Sequence, residues 1–184
     1  MRHVVGVDDA PFKRNHRGDV LVIGAVFSGA RLEGVLSSKV RRDGANATSR
    51  IATMVGESRF YPQLDTVLLQ GIAMAGFNVI DIQQLHRELD RPVIVVARRK
   101  PNLDAIRDAL LEHVAGGRRK WRLIEQAGPM TPVENLWVQY AGTSLESVKQ
   151  TLREHVAVGH LPEPLRTAHL IAGGIVGGRS RQRA

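Results

Sequence analysis

The sequence predicts an α/β fold: one mixed sheet in which three antiparallel strands precede a βαβ unit, with helices flanking the sheet. Three observations predict it. Leu64 to Leu69 (LDTVLL) and Pro92 to Ala97 (PVIVVA) are apolar runs of the kind made by strands buried on both faces. Between them, FNVIDIQQLHREL carries Ile80, Leu85 and Leu89 at roughly helical spacing. Ahead of this unit stand three further strand-like stretches, and the link between the second and third is short enough for an antiparallel hairpin.

In chain order, His3 to Val7 (HVVGV) is a short apolar strand ending at Asp8 and Asp9. Asp19 to Phe27 is the second strand, Ser28 to Arg31 a turn, and Leu32 to Val40 the third strand. The third alternates polar and apolar residues, as expected near a sheet edge. Arg41, Arg42, Asp43 and Gly44 end it, and Asn46 or Thr48 can cap a helix bearing Ile51, Met54 and Val55. The βαβ unit follows, its turn holding Gln70, Gly71 and Gly76, with Asn78 and Asp81 placed to cap its helix. After Pro92 to Ala97 stand Arg98, Arg99 and Lys100, and Asn102 caps a helix with Leu103, Ile106, Leu110 and Val114 on one stripe. Trp121 to Ile124 and Leu136 to Tyr140 read as two late strands. Thr143 and Glu146 form a capping-box pair for a helix through His155, and a last helix spans about Glu163 to Val176. The chain of 184 residues is expected to form one domain, with a basic tail at about 178–184 fraying in solvent.

Composition narrows the function. Without cysteine there is no disulfide framework and no thiolate metal site. No charged-then-apolar leader and no run of 18 apolar residues is present, which predicts a cytoplasmic protein without a membrane partner. The net charge of +8 points to an anionic partner, nucleic acid first. Arginine supplies 21 of the 26 basic residues, and its planar fork suits phosphate; a general bias toward arginine accounts for the count equally well. Eight aromatics in the whole chain argue against extensive stacking of single-stranded bases. The glycine turn lacks both the GxGxxG spacing of a dinucleotide site and the Lys-Ser/Thr pair of a P-loop, so a small-molecule enzyme is disfavoured.

Ligands of open α/β sheets bind beyond the carboxyl ends of the strands, which puts the turn from Gln70 to Phe77 beside the working site. Asp8, Asp9 and Asp43 end strands there. Adjacent carboxylates repel unless a cation intervenes, and hard oxygen ligands suit Mg²⁺ or Mn²⁺. The alternative is that these aspartates cap turns. The basic clusters at Arg41–Arg42, Arg98–Lys100 and Arg118–Arg122 rim these acids or form solvated loops. His169, within PEPLRTAHLIAGG, reads as a packed, hydrogen-bonded histidine, and no HExxH or GxSxG pattern is present.

GVDDAPF, RRDGANATSRI, LQGIAMAGFNVIDI, PVIVVARRKP and PEPLRTAHLIAGG together resemble domain-of-unknown-function family 99, the endonuclease dU family, which is related to endonuclease V. The resemblance covers nearly the whole chain. It implies an RNase H-like fold, a mixed five-stranded sheet whose first three strands are antiparallel, and metal-dependent cleavage of DNA near a deaminated base, uracil first. Endonuclease V-like enzymes place an Asp at the end of the first strand, which Asp8 matches, and a Glu after the third strand, where this chain has Asp43. They place another Asp ahead of the glycine turn in a VDGxG motif, where this chain has Leu69-Gln70-Gly71. Their lysine after the fifth strand corresponds to Arg98, Arg99 or Lys100.

The expectation is a Mg²⁺- or Mn²⁺-dependent endonuclease acting on DNA, with RNA as a further possible substrate. Asp8 and Asp43 serve as catalytic metal ligands and Asp9 and Asp81 as helpers. Arg98, Arg99, Lys100, Arg41 and Arg42 contact phosphates. Gln70, Gly71, Gly76 and Asn78 line the site. A nucleic-acid-binding protein that has lost catalysis is the alternative, favoured by the neutral Gln70.

Overall fold

The computed structural model describes residues 2–157 and 159–180. Strand β1 (His3–Asp9) pairs antiparallel with β2 (Asp19–Ser28), and β2 with β3 (Arg31–Arg41). On its other side β1 runs parallel to β4 (Thr66–Gln70), which runs parallel to a strand at Val93–Ala97. Between those two, a small antiparallel hairpin is made by β5 (Ala73–Met74) and β6 (Asn78–Val79), so the strand at Val93–Ala97 is β7. The sheet does not stop at the expected five strands. β8 (Thr131–Val133) and β9 (Leu136–Ala141) extend it to seven in the order β3-β2-β1-β4-β7-β9-β8, with β9 antiparallel to β7.

Helices cover both faces. Val5, Val7, Val67, Leu69, Val93 and Val95 face α1 (Ala47–Gly56) and α2 (Ile82–Leu89) in the largest core cluster. Side chains alternate along strands, so their neighbours Val4, Leu68, Ile94 and Val96 face the other way. There they pack with α5 (Leu145–His155) and α6 (Glu163–Gly177). At Gly6 the start of α6 lies almost on the strand: a Cβ there would sit under 3.0 Å from the backbone of Pro164 and Leu165. This close seating sets how far the helix side chains reach across β1. No helix among the described residues is long and apolar enough to cross a membrane.

Several local expectations are corrected. Trp121 to Ile124 is not a strand but lies in α4 (Gly117–Gln126), where Gly117, Lys120 and Ile124 are buried at helical spacing and the arginines between them face out. The preceding helix is α3 (Leu103–His113), capped by Asn102 as expected. The cap of α5 is Ser144, whose side chain accepts from the Ser147 amide, while Glu146 pairs with Lys149 instead. Ile80 precedes α2, and Asn78 does not cap that helix; its Oδ1 accepts from the Ala47 amide at the start of α1. Of the tail expected to fray, residues 181–184 lie outside the described residues, and Ser180 Oγ donates to the Leu170 carbonyl.

Candidate active site

The carboxyl end of β1 carries Asp8 and Asp9, and strand alternation sends them to opposite faces. Asp8, only 4 % exposed, points to α6. Its Oδ2 lies 2.9 Å from Nδ1 of His169 and its Oδ1 accepts from the Asp9 amide at 2.9 Å. Asp9 points to the β5–β6 hairpin, where its Oδ2 accepts from the Ala75 amide at 2.6 Å. Burial pushes the Asp9 carboxyl up to about 6; the Ala75 N–H opposes that rise and the neighbouring Asp8 carboxylate adds to it.

Asp43, just past β3, holds the same hairpin from the other side. Its amide donates to the Ala75 carbonyl at 2.9 Å, and its Oδ1 accepts from the Phe77 amide at 2.8 Å. The residue adopts a left-handed φ of 52°, uncommon outside glycine, asparagine and aspartate. Gly76 sits between these contacts at φ 83°, and a Cβ on it would lie under 3.0 Å from Asp43 Oδ1. Lys120, 3 % exposed on α4, reaches back to donate to the Asp43 carbonyl at 2.6 Å. Burial pushes its ammonium below the usual lysine range; the Asp43 carboxylate opposes the shift and Arg119 adds to it. Fully buried Asn78 ties the hairpin to the end of β3, donating to the Arg41 carbonyl and to Asn46 Oδ1, both at 2.8 Å.

Gln70 ends β4. Val7 pairs with Leu69, so the next step brings Gln70 abreast of Asp8 on the α6 face. Its buried Oε1 has no hydrogen-bond partner among the described residues. A buried acceptor without a donor is costly and marks a place completed by water or an ion.

The structure therefore brings Asp8, Asp9, Asp43, Gln70 and Gly76 to one end of the sheet and separates Asp81 from them. Asp81 caps α2, its Oδ1 accepting from the Gln84 amide at 2.9 Å, and its own amide donates to Thr48 Oγ1. No hydrogen bond or ion pair among the described residues joins it to Asp8, Asp9 or Asp43. Arg98, Arg99 and Lys100 are exposed at the carboxyl end of β7, the same sheet end, with Lys100 over the Trp137 ring. Arg41 is exposed, whereas Arg42 is engaged: it donates to the His16 carbonyl, covers the Phe12 ring and lies 3.4 Å from Asp43 Oδ2. Two site residues escaped the sequence reading. His169 does hydrogen-bond, but to Asp8; its spacing from Leu165 and Ala172 on α6 marked it as sheet-facing without naming the strand it meets. Lys120 stands in a basic cluster whose role, rim of the acids or solvated loop, the sequence left open.

The mixed sheet in this order is an RNase H-like fold. The chain belongs to the endonuclease dU family, whose model matches residues 1–176. A UPF0215 protein of Deinococcus radiodurans is 55 % identical over 180 residues, covering 98 % of this chain and 92 % of that one. A solved protein of unknown function from Archaeoglobus fulgidus superposes with a TM-score of 0.90 at 31 % identity, over 96 % of this chain and 99 % of that one. The fold is shared with endonuclease V of Ciona intestinalis, solved in complex with a 24mer DNA containing an inosine followed by a ribo-adenosine. That likeness has a TM-score of 0.57 at 15 % identity and covers 91 % of this chain and 82 % of that one.

Proposed function

We propose that this protein is a Mg²⁺- or Mn²⁺-dependent endonuclease that cuts DNA near a deaminated base, uracil first. The observation that carries the reading is buried Asp8, held by half-buried His169 and level with the orphaned Gln70 Oε1, at the acid-bearing end of an RNase H-like sheet. The donor set fits a hard cation that keeps several waters, since Asp8 offers a carboxylate, Gln70 an amide oxygen, and Asp43 a second carboxylate at the same end of the sheet. Among the described residues no three His, Asp or Glu side chains are grouped to hold a metal ion, so an ion here would complete its shell with water or substrate phosphate. Such an ion, when bound, polarises the phosphodiester and lowers the pKa of attacking water.

The chain's own residues supply positioning. His169 holds Asp8 in one orientation from the α6 side. Lys120 and the hairpin amides fix Asp43, and the Asp9 carboxyl anchors the hairpin through Ala75. Arg98, Arg99 and Lys100 stand exposed at the same sheet end to meet phosphates. Gln70 favours a second reading, a nucleic-acid-binding protein without catalysis, because a neutral amide brings no charge to an ion.

The test uses oligonucleotides carrying uracil, hypoxanthine or only normal bases, with Mg²⁺, Mn²⁺ or a chelator. Cleavage near uracil that needs the metal and disappears in folded Asp8→Asn protein is expected. Binding without cleavage under every condition would select the second reading, and cleavage undiminished in Asp8→Asn would remove Asp8 from the site.

A further inference from the structure

A cleft of about 650 Å³ opens between the segment joining β1 to β2 and the second half of α6. Its lining includes His169, so it adjoins the Asp8–His169 pair directly. Ala10, Phe12, Leu21 and Val176 give it an apolar lining, while Lys13, His16 and Arg179 line it with basic groups against a single acid, Asp19. Its size is that of a small-molecule site, and an apolar interior with a few polar groups is what such sites present. Nothing in the proposed chemistry at Asp8 uses it.

From this juxtaposition we infer that the cleft seats one unstacked nucleobase of the nucleic-acid strand whose phosphate lies at Asp8, with Phe12 as the stacking surface. The inference rests on the nuclease reading above. The charge pattern selects this occupant. A base brings an apolar, flat face and an anionic phosphate on either side, and the cleft offers an aromatic ring with basic groups outnumbering its one acid, Asp19. A lipid tail or an apolar peptide would have no use for Lys13, Arg179 and the exposed Arg14 and Arg17 on the same segment.

The segment is also held in shape before any ligand arrives. Arg42 covers the Phe12 ring with its guanidinium 5.3 Å from the centroid, donates to the His16 carbonyl, and through its amide donates to the Gly18 carbonyl at 2.9 Å. The same guanidinium lies against Asp43, so the cleft wall and the acid site are one connected structure. A preorganised stacking surface loses less on ordering when a base enters.

The probes are two duplexes, one with a single bulged base and one with an abasic residue at the bulge, each titrated in chelator so that nothing is cut. The intact protein is expected to bind the bulged base about tenfold more tightly, the size of one base–aromatic stack. Phe12→Ala removes the stacking surface. Gly173→Leu fills the cleft from α6, where an added Cβ meets only Ser180 Cα at 3.9 Å, and so tests the cleft without touching Phe12. In each variant that retains its thermal transition, the ratio of the two affinities is expected to fall toward one while abasic-duplex binding persists. A ratio near one in the intact protein, or a ratio unchanged in either folded variant, overturns the base seat and leaves the nuclease reading standing. Failure of the intact protein to bind either duplex in chelator overturns the base seat, and the nuclease reading is then decided by the cleavage assay alone.

Discussion

Gly71→Ala and Gly76→Ala form a matched pair, because one glycine precedes the hairpin and the other lies in its turn, both at φ 83°, and they differ in what a methyl group would meet. Alanine in the left-handed region costs roughly 1–2 kcal/mol. Reduced freedom of the unfolded chain offsets about 0.4–1 kcal/mol of this. At Gly71 the nearest atom to an added Cβ is the Ala73 carbonyl oxygen at 4.0 Å, so that variant loses only this net strain, about 1 kcal/mol. At Gly76 the Cβ would fall under 3.0 Å from Asp43 Oδ1, and the carboxylate must swing off the Phe77 amide. A hydrogen bond to a charged group contributes about 1.5–3 kcal/mol, which brings the Gly76→Ala loss to about 2–4 kcal/mol. For a chain of this size the melting temperature then falls by about 2–4 °C for Gly71→Ala and about 4–16 °C for Gly76→Ala. Thermal unfolding followed by circular dichroism reads both, and cleavage assays on the folded fraction are expected to show the larger defect in Gly76→Ala. Equal losses in the two variants would refute the claim that the hairpin sets the position of Asp43.

The other expectations test charge. Replacing Arg98 and Arg99 together by alanine is expected to weaken DNA binding and flatten the slope of log affinity against log salt by about 1.8, two phosphate contacts' worth, measured by anisotropy; an unchanged slope would take both residues off the interface. In metal-free protein the folded state holds the Asp9 proton up to about pH 6, against an ordinary value of 3.8. The folded state binds more protons across that window, so stability is expected to fall by up to about 3 kcal/mol as pH rises through it, and Asp9→Asn should remove the decline in denaturant titrations. Stability rising with pH in the wild type but not in Asp9→Asn would contradict this. Because asparagine is also a good cap, Asp81→Asn is expected to change stability by less than about 0.5 kcal/mol and leave cleavage intact; abolished cleavage at unchanged melting temperature would return Asp81 to the metal site.

The sequence by itself determined the elements whose signals are local. The apolar runs at Leu64 to Leu69 and Pro92 to Ala97 and the helix between them make the parallel β4–β7 pair, because burial on both faces demands continuous apolar side chains. The caps at Asp81 and Asn102 were legible because a cap bonds amides two or three residues away. Placement of Asp8, Asp9 and Asp43 at one sheet end followed from strand order alone. Local signals misled where two patterns compete over a few residues: Trp121 to Ile124 is short enough to pass for a strand, and only packing of Gly117, Lys120 and Ile124 against the interior makes it helix.

Tertiary structure decided the pairs that join distant parts of the chain. His169 and Asp8 are 161 residues apart, and their contact depends on α6 settling onto β1 at Gly6, where the missing side chain admits the helix backbone. Lys120 meets Asp43 across 77 residues for a similar reason, since α4 leans on the hairpin that Asp43 grips. Periodicity records which face of an element is buried. Which other element buries it is set by the close packing of the whole sheet and its helices, and the orphaned oxygen of Gln70 beside Asp8 is visible only once that packing is complete.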